Sequence, residues 1–242
     1  MRAEEDDMAI DIRGKWALVT GASRGIGKLV ATALAERGSH VVLHSREAAS
    51  TAALERALVD KGVRAVSIGA ELSDQAEVDR LVGEAQSISG GLDIVFNNAA
   101  VMTPYREPYT SATIEDFRTS FEINVITPIR ITYAVLPGML ERRFGRIIQV
   151  TSGIVDKPEL MAYAASKAAL DKFVHDMAIK LRGTGVLMNL LDPGWLRTDL
   201  GGAHAPNPVE SVLPGALVPA LIDGEVNGFL FRALDYTGRA TT

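Results

Sequence analysis

The chain has 242 residues, 47% of them hydrophobic, and a formal net charge of −5. That is enough apolar material for one sizeable core, and an acidic balance offers no basic face to nucleic acid or to an anionic membrane. There is no cysteine, which excludes disulfides and thiolate metal sites, and His40, His44, His175 and His204 show no metal-ligand spacing, so no metal is expected.

In chain order, the acidic start "MRAEEDDMAI" lacks the basic and apolar regions of a signal peptide and reads as a flexible tail over residues 1–9, ahead of one domain over 10–242. No apolar run is read as reaching transmembrane length, so the expectation is a soluble cytoplasmic protein. Apolar runs predict strands at 15–20, 40–45, 64–70, 92–98, 145–152, 185–192 and 227–234. Helical periodicity predicts helices at 27–38, 48–61, 73–88, 113–141 with an interruption at Pro128, and 158–183. Asp74 and Glu77 have capping-box spacing. The strands are continuous apolar runs, which suits a parallel sheet covered on both faces. The fold class is therefore α/β: one doubly wound Rossmann-type domain with a mostly seven-stranded parallel sheet. Residues 194–225, rich in Gly and Pro, follow a strand's carboxyl end and read as a short lid.

"TGASRGIG" (20–27) joins the first strand to the first helix. Gly21, Gly25 and Gly27 let the backbone approach a pyrophosphate, which the following helix N-terminus would receive. Two other patterns overlap it. "GASRG" fits the nucleophile elbow of a serine hydrolase with Ser23 as nucleophile, but only about twenty residues precede it and His204 is the one late histidine. "GIGK" brushes the phosphate-loop pattern, whose first Gly would fall at Ala22 and whose Ser/Thr would fall at Leu29. At the end of the second strand, Ser45 and Arg46 precede Glu47. Together with Arg24 they suit a 2′-phosphate, so NADP(H) is preferred and NAD(H) is the alternative.

"MAYAASKAAL" (161–170) sets Tyr163 and Lys167 one turn apart on an alanine-rich helix. Packing is one explanation, since a lysine can snorkel its amine to water. The rest of the chain bears on whether packing is the whole account.

Taken with "NNAA" (97–100), "INV" (123–125), "TS" (151–152), "YAASK" (163–167) and "DPGWLRTD" (192–199), the glycine loop makes the chain resemble the short-chain dehydrogenase/reductase family in its classical form along nearly its whole length. The resemblance implies an oxidoreductase that interconverts a ketone or aldehyde and an alcohol. Tyr163 would be the general acid/base. Lys167 would lower its pKa and hold the nicotinamide ribose, and Ser152 would orient the carbonyl. Asn124 would support a water relay through its carbonyl; Pro128, four residues on, has no N–H to offer that carbonyl. The implied cofactor contacts are Gly21, Ser23, Arg24, Gly25, Ile26, Gly27, Ser45, Arg46, Glu71, Leu72, Asn98, Ala99, Tyr163, Lys167, Pro193, Gly194, Leu196 and Thr198.

Three positions depart from the family pattern. Glu71 stands for the usual Asp near the adenine, Ala100 for the last Gly of NNAG, and the Ser152–Tyr163 segment is about two residues short. Met102, Tyr105, Tyr109, Ile154, Trp195 and Leu196 are candidates for a substrate pocket suited to a mostly apolar ketone or alcohol. The partners expected are a small-molecule substrate and a second copy of the chain, as homodimer or homotetramer, through the helices carrying Asn124 and Tyr163. A non-catalytic dinucleotide sensor is the competing reading. It is disfavoured because Asn124, Ser152, Tyr163 and Lys167 are all present.

Overall fold

In the computed structural model, residues 9–237 are described. The expected tail falls on residues 1–8, outside the described residues, and on Ala9. Ala9 is not loose: it pairs antiparallel with Ile222, and the next N–H, of Ile10, donates to the Leu221 carbonyl at 2.8 Å.

Seven strands, β1 (Trp16–Val19), β2 (His40–Ser45), β3 (Ala65–Gly69), β4 (Ile94–Asn97), β5 (Gly145–Val150), β6 (Val186–Asp192) and β7 (Leu230–Arg232), form one sheet in the order β3-β2-β1-β4-β5-β6-β7. Every pairing is parallel. β1, β4 and β5 are buried at every position, as continuous apolar runs require when both faces are covered. On one face α1 (Gly25–Glu36) packs with Val19, Val41 and Phe96; on the other α3 (Gln75–Ser89) packs with Leu18, Val42 and Val95. The chain leaves β1 toward β2 and β3, then returns to build β4 on the other side. Between the carboxyl ends of β1 and β4 lies the crevice where such sheets bind ligands.

The expected helix at 48–61 is α2 (Ala52–Val59), preceded by a short 3₁₀ turn. Asp74 does cap α3, accepting from the N–H groups of Ala76 (2.8 Å) and Glu77 (3.3 Å). The reciprocal half of the box is absent, because the Glu77 carboxylate accepts instead from the Glu71 N–H at 2.6 Å.

The expected 113–141 helix is three pieces. α4 (Ile114–Phe121) opens with a Thr113–Asp116 capping box, a π turn spans Glu122–Ile126, and α5 (Thr127–Glu141) follows. Pro128 falls in the first turn of α5, where its missing N–H costs little. The interruption is thus a widened turn, in which the Thr127 N–H reaches the Glu122 carbonyl five residues back. By length and composition, residues 114–141 are apolar enough to cross a bilayer, so the expectation that no run reaches that length is too strict; here half of the most apolar stretch is buried within the fold.

α6 (Met161–Leu181) is shorter at both ends than the expected 158–183. The expected lid is also smaller. Val212, Ala216, Leu217 and Ala220 are wholly buried in the core, with α7 (Val218–Leu221) among them. Apolar residues spaced between prolines close the core there, which leaves roughly 194–208 as a mostly exposed loop anchored by the buried Leu196 and Ala205.

Candidate active site

The glycine loop is held from three sides. Its Gly21 N–H donates to His44 Nδ1 at 3.2 Å, and His44 Nε2 lies 3.0 Å from the Ala70 carbonyl. The ring therefore sits as the neutral tautomer with its proton on Nε2, and burial pushes its pKa down. Just past β4, Asn98 Nδ2 donates to the carbonyls of Thr20 (2.8 Å) and Gly21 (3.3 Å), while the N–H groups of Asn98 and Ala99 share Thr20 Oγ1 at 3.0 Å each. A Cβ at Gly27 would stand 2.2 Å from the Gly21 oxygen, so only glycine lets α1 approach the loop. Arg24, at the cap of α1, makes no side-chain cap, and the first turn carries no acid. The leading N–H groups of Gly25, Ile26 and Gly27 are thus left to an anion such as a pyrophosphate.

Around this loop the expected contacts divide. Arg46 is exposed and, among the described residues, forms no ion pair. Arg24, also expected at a 2′-phosphate, instead pairs with Asp199 of the lid at 2.8 Å. Ser45 is buried, and its hydroxyl donates to the Glu47 carbonyl at 2.7 Å. Glu71 turns its carboxylate onto the N–H and hydroxyl of Ser73, both at 3.1 Å, beside an open cavity of about 650 Å³ between the start of α3 and α4. The Leu72 carbonyl accepts from Thr127 Oγ1 at 2.6 Å. Ser23 lacks a histidine partner among the described residues, since His44 is spoken for and His204 is exposed, so the hydrolase pattern is not assembled.

Tyr163 and Lys167 lie in the first turns of α6, 6% and 3% exposed. The Lys167 ammonium stands 5.8 Å from the centroid of the Tyr163 ring and donates to the Val150 carbonyl at 2.8 Å. Burial lowers its pKa from 10.5 to about 8. Tyr163 departs from expectation. Burial of the phenol is the largest influence and raises its pKa; the nearby Ser152 hydroxyl pulls it back, although the two hydroxyls complete no hydrogen bond of standard geometry, and the charge of Asp192 adds to the rise. Spacing places the cation one turn away, but burial, Ser152 and Asp192, not Lys167, set the direction of this shift. The Ser152 hydroxyl also accepts from the Ile154 N–H at 3.3 Å.

Asn124, in the π turn, is fully buried. Its Oδ1 accepts from the Val101 N–H at 2.9 Å, and its Nδ2 donates to the Val101 carbonyl (2.8 Å) and to Ser166 Oγ (3.0 Å). Ser166 Oγ donates in turn to the Tyr163 carbonyl at 2.7 Å. One amide thus joins the segment after β4 to the helix of Tyr163. Ser166 and His44 are the site residues that sequence reasoning misses.

On the lid side, the Gly194 N–H donates to Asp192 Oδ1 at 2.9 Å. Gly194 has φ +80°, and a Cβ there would meet Leu234 at 2.5 Å. The Thr198 methyl lies 3.6 Å from where a Cβ of Gly25 would stand, so the segment after Pro193 abuts the glycine loop. Of the pocket candidates, Leu196 is buried in the core, which makes its side chain a packing group. Trp195, Tyr105 and Tyr109 are 58–60% exposed, and the Trp195 indole donates to the Gly201 carbonyl at 2.8 Å. Arg106 braces the segment after β4. Its guanidinium takes both oxygens of Asp116 (2.8 and 3.0 Å), and its N–H donates to the Glu159 carbonyl at 3.0 Å.

The family model for short chain dehydrogenases matches residues 15–208. A D-beta-hydroxybutyrate dehydrogenase of Cupriavidus necator is 36% identical over 196 residues, 78% of this chain and 73% of that one. Among solved structures, a blue fluorescent protein from a metagenomic library in complex with NADPH superposes with a TM-score of 0.81 at 29% identity, over 92% of this chain and 97% of that one. A 3-oxoacyl (acyl-carrier-protein) reductase of Agrobacterium tumefaciens with NADP bound gives 0.82 at 27%, over 95% and 96%. The chain belongs to the short-chain dehydrogenase/reductase family and is an oxidoreductase.

Proposed function

We propose that the chain is an NADP(H)-dependent carbonyl reductase or alcohol dehydrogenase acting on a mostly apolar ketone, aldehyde or alcohol. The observation that carries this reading is the buried Tyr163 one helical turn from the buried Lys167, whose ammonium holds the Val150 carbonyl at the carboxyl end of β5, two residues before Ser152. NADPH, when bound, supplies the hydride. Gly21, Gly25, Ile26 and Gly27 would receive its pyrophosphate, and Arg46 its 2′-phosphate. Ser152 donates a hydrogen bond to the substrate oxygen, and Tyr163 delivers the proton to it. A phenol kept protonated by burial suits the reducing direction. Lys167 restores the Tyr163 proton, fed through water held at the Asn124 carbonyl. The NADPH and NADP complexes among the superposed structures support this cofactor.

The exposed Ile126 and Tyr133, seven residues apart on the π turn and α5, suit pairing with a second copy of the chain. Light scattering should then give two or four chains per particle; a single chain would refute the pairing.

The cofactor assignment is tested by following nicotinamide fluorescence during titration with NADPH and with NADH, in the wild type and in Arg46→Ala. NADPH is expected to bind at least tenfold more tightly, with the difference largely lost in the variant. Equal binding of the two by the wild type would contradict it. If neither binds, the reductase reading itself falls.

A further inference from the structure

Lys167 is buried, yet among the described residues no carboxylate lies within ion-pair distance of it; its one hydrogen bond goes to a neutral carbonyl. A buried ammonium without a counter-charge is costly. Four residues further along α6 stands Asp171, and side chains so spaced are neighbours on one helix face, with Cβ atoms about 5–6 Å apart. Asp171 Oδ1 is buried and completes no hydrogen bond. The one other acidic residue of α6, Asp176, pairs with Lys172.

We propose that Asp171 is a positioning residue for the reaction: its carboxylate, one turn along α6, holds Lys167 in the ammonium form that Tyr163 requires. The inference rests on the reductase reading above. Four groups surround Asp171. Lys167 precedes it and the exposed His175 follows it on α6. Thr151 extends from the end of β5, and Asp192 lies at the end of β6. Burial raises the pKa of Asp171. Thr151 lowers it, although neither Thr151 Oγ1 nor Asp171 Oδ1 completes a hydrogen bond of standard geometry; His175 and Lys167 also favour the charged form, and Asp192 opposes it. In return, Asp171 is the group that favours the charged form of Lys167 against burial.

The sign follows from Lys167. Its ammonium is populated below about pH 8 and lost as pH rises through that value. Removing the carboxylate lowers this midpoint further, so the alkaline limb of activity moves to lower pH. A unit charge about 6 Å away, at an effective dielectric constant between roughly 20 and 80, shifts a midpoint by roughly 0.5–2 units.

The test is the isosteric Asp171→Asn in protein labelled with ¹³Cε-lysine, with the Lys167 signal assigned by its loss in Lys167→Met. In a pH titration without cofactor, the Lys167 midpoint should fall by roughly 0.5–2 units in Asp171→Asn. It should recover in Asp171→Glu and stay put in Asp176→Asn. The alkaline limb of kcat/KM for NADPH-dependent carbonyl reduction should move with it. An unmoved midpoint overturns the proposal, and so does a moved midpoint with an unmoved limb. A wild type that reduces no carbonyl overturns the reductase reading instead, while the lysine midpoint still decides whether Asp171 sets the charge of Lys167.

Discussion

Asn124 spends both polar atoms of its side chain on holding other parts of the site, and it does so with no exposed surface. Asn124→Ala removes three hydrogen bonds, one of them to the buried Ser166 hydroxyl, and leaves the half-buried Val101 N–H without its partner. The cost is about 2 kcal/mol, near the middle of the range for an orphaned buried group. Thermal unfolding should therefore fall by roughly 4–8 °C, at 2–4 °C per kcal/mol for a chain of this size; an unchanged midpoint would show that these bonds carry no weight. The candidate catalytic residues were legible because each sits in a motif of distinctive residue types at fixed separations. Ser166 was not, since one more small residue in an alanine-rich helix carries no signal until the helix is placed against the π turn. The direction of the Tyr163 shift was also beyond the sequence. Spacing reports that a cation is near, but it does not report how much water has been removed.

At the level of elements, two junctions set the site. The first is the π turn, whose extra residue sets Asn124 facing both Val101 and Ser166. A helix interruption could be read from Pro128, but its form could not, because an open proline kink and a π turn begin from the same sequence. The second junction joins the glycine loop to the lid through the Arg24–Asp199 pair. A 2′-phosphate that takes Arg24 must displace Asp199. Both side chains are more than two-thirds exposed, so the pair is worth about 0.2–1 kcal/mol. Asp199→Asn should therefore tighten NADPH binding by roughly 1.4–5-fold in low salt and leave NADH unchanged. Equal effects on both cofactors, measured by fluorescence titration, would show that Arg24 does not meet the phosphate. The lid itself was overestimated from sequence, since glycine and proline mark irregular backbone without saying whether it is buried.

For the whole molecule, continuous apolar runs alternating with helical periodicity were enough to give the seven-stranded parallel sheet and its class. The order of the strands was not legible, because the rules that make crossovers short and right-handed admit more than one order. That order lays the glycine loop of β1, the Asn98 turn of β4 and the Ser152 end of β5 side by side, although more than fifty residues separate each from the next. The central claim is that Tyr163 passes a proton at this edge. The most direct test compares Tyr163→Phe with the wild type in NADPH binding and in turnover of an accepted carbonyl. Binding should stay within about threefold, while turnover falls by roughly 10²–10⁴-fold, the contribution of a positioned general acid. Turnover that survives the loss of the hydroxyl would contradict the account.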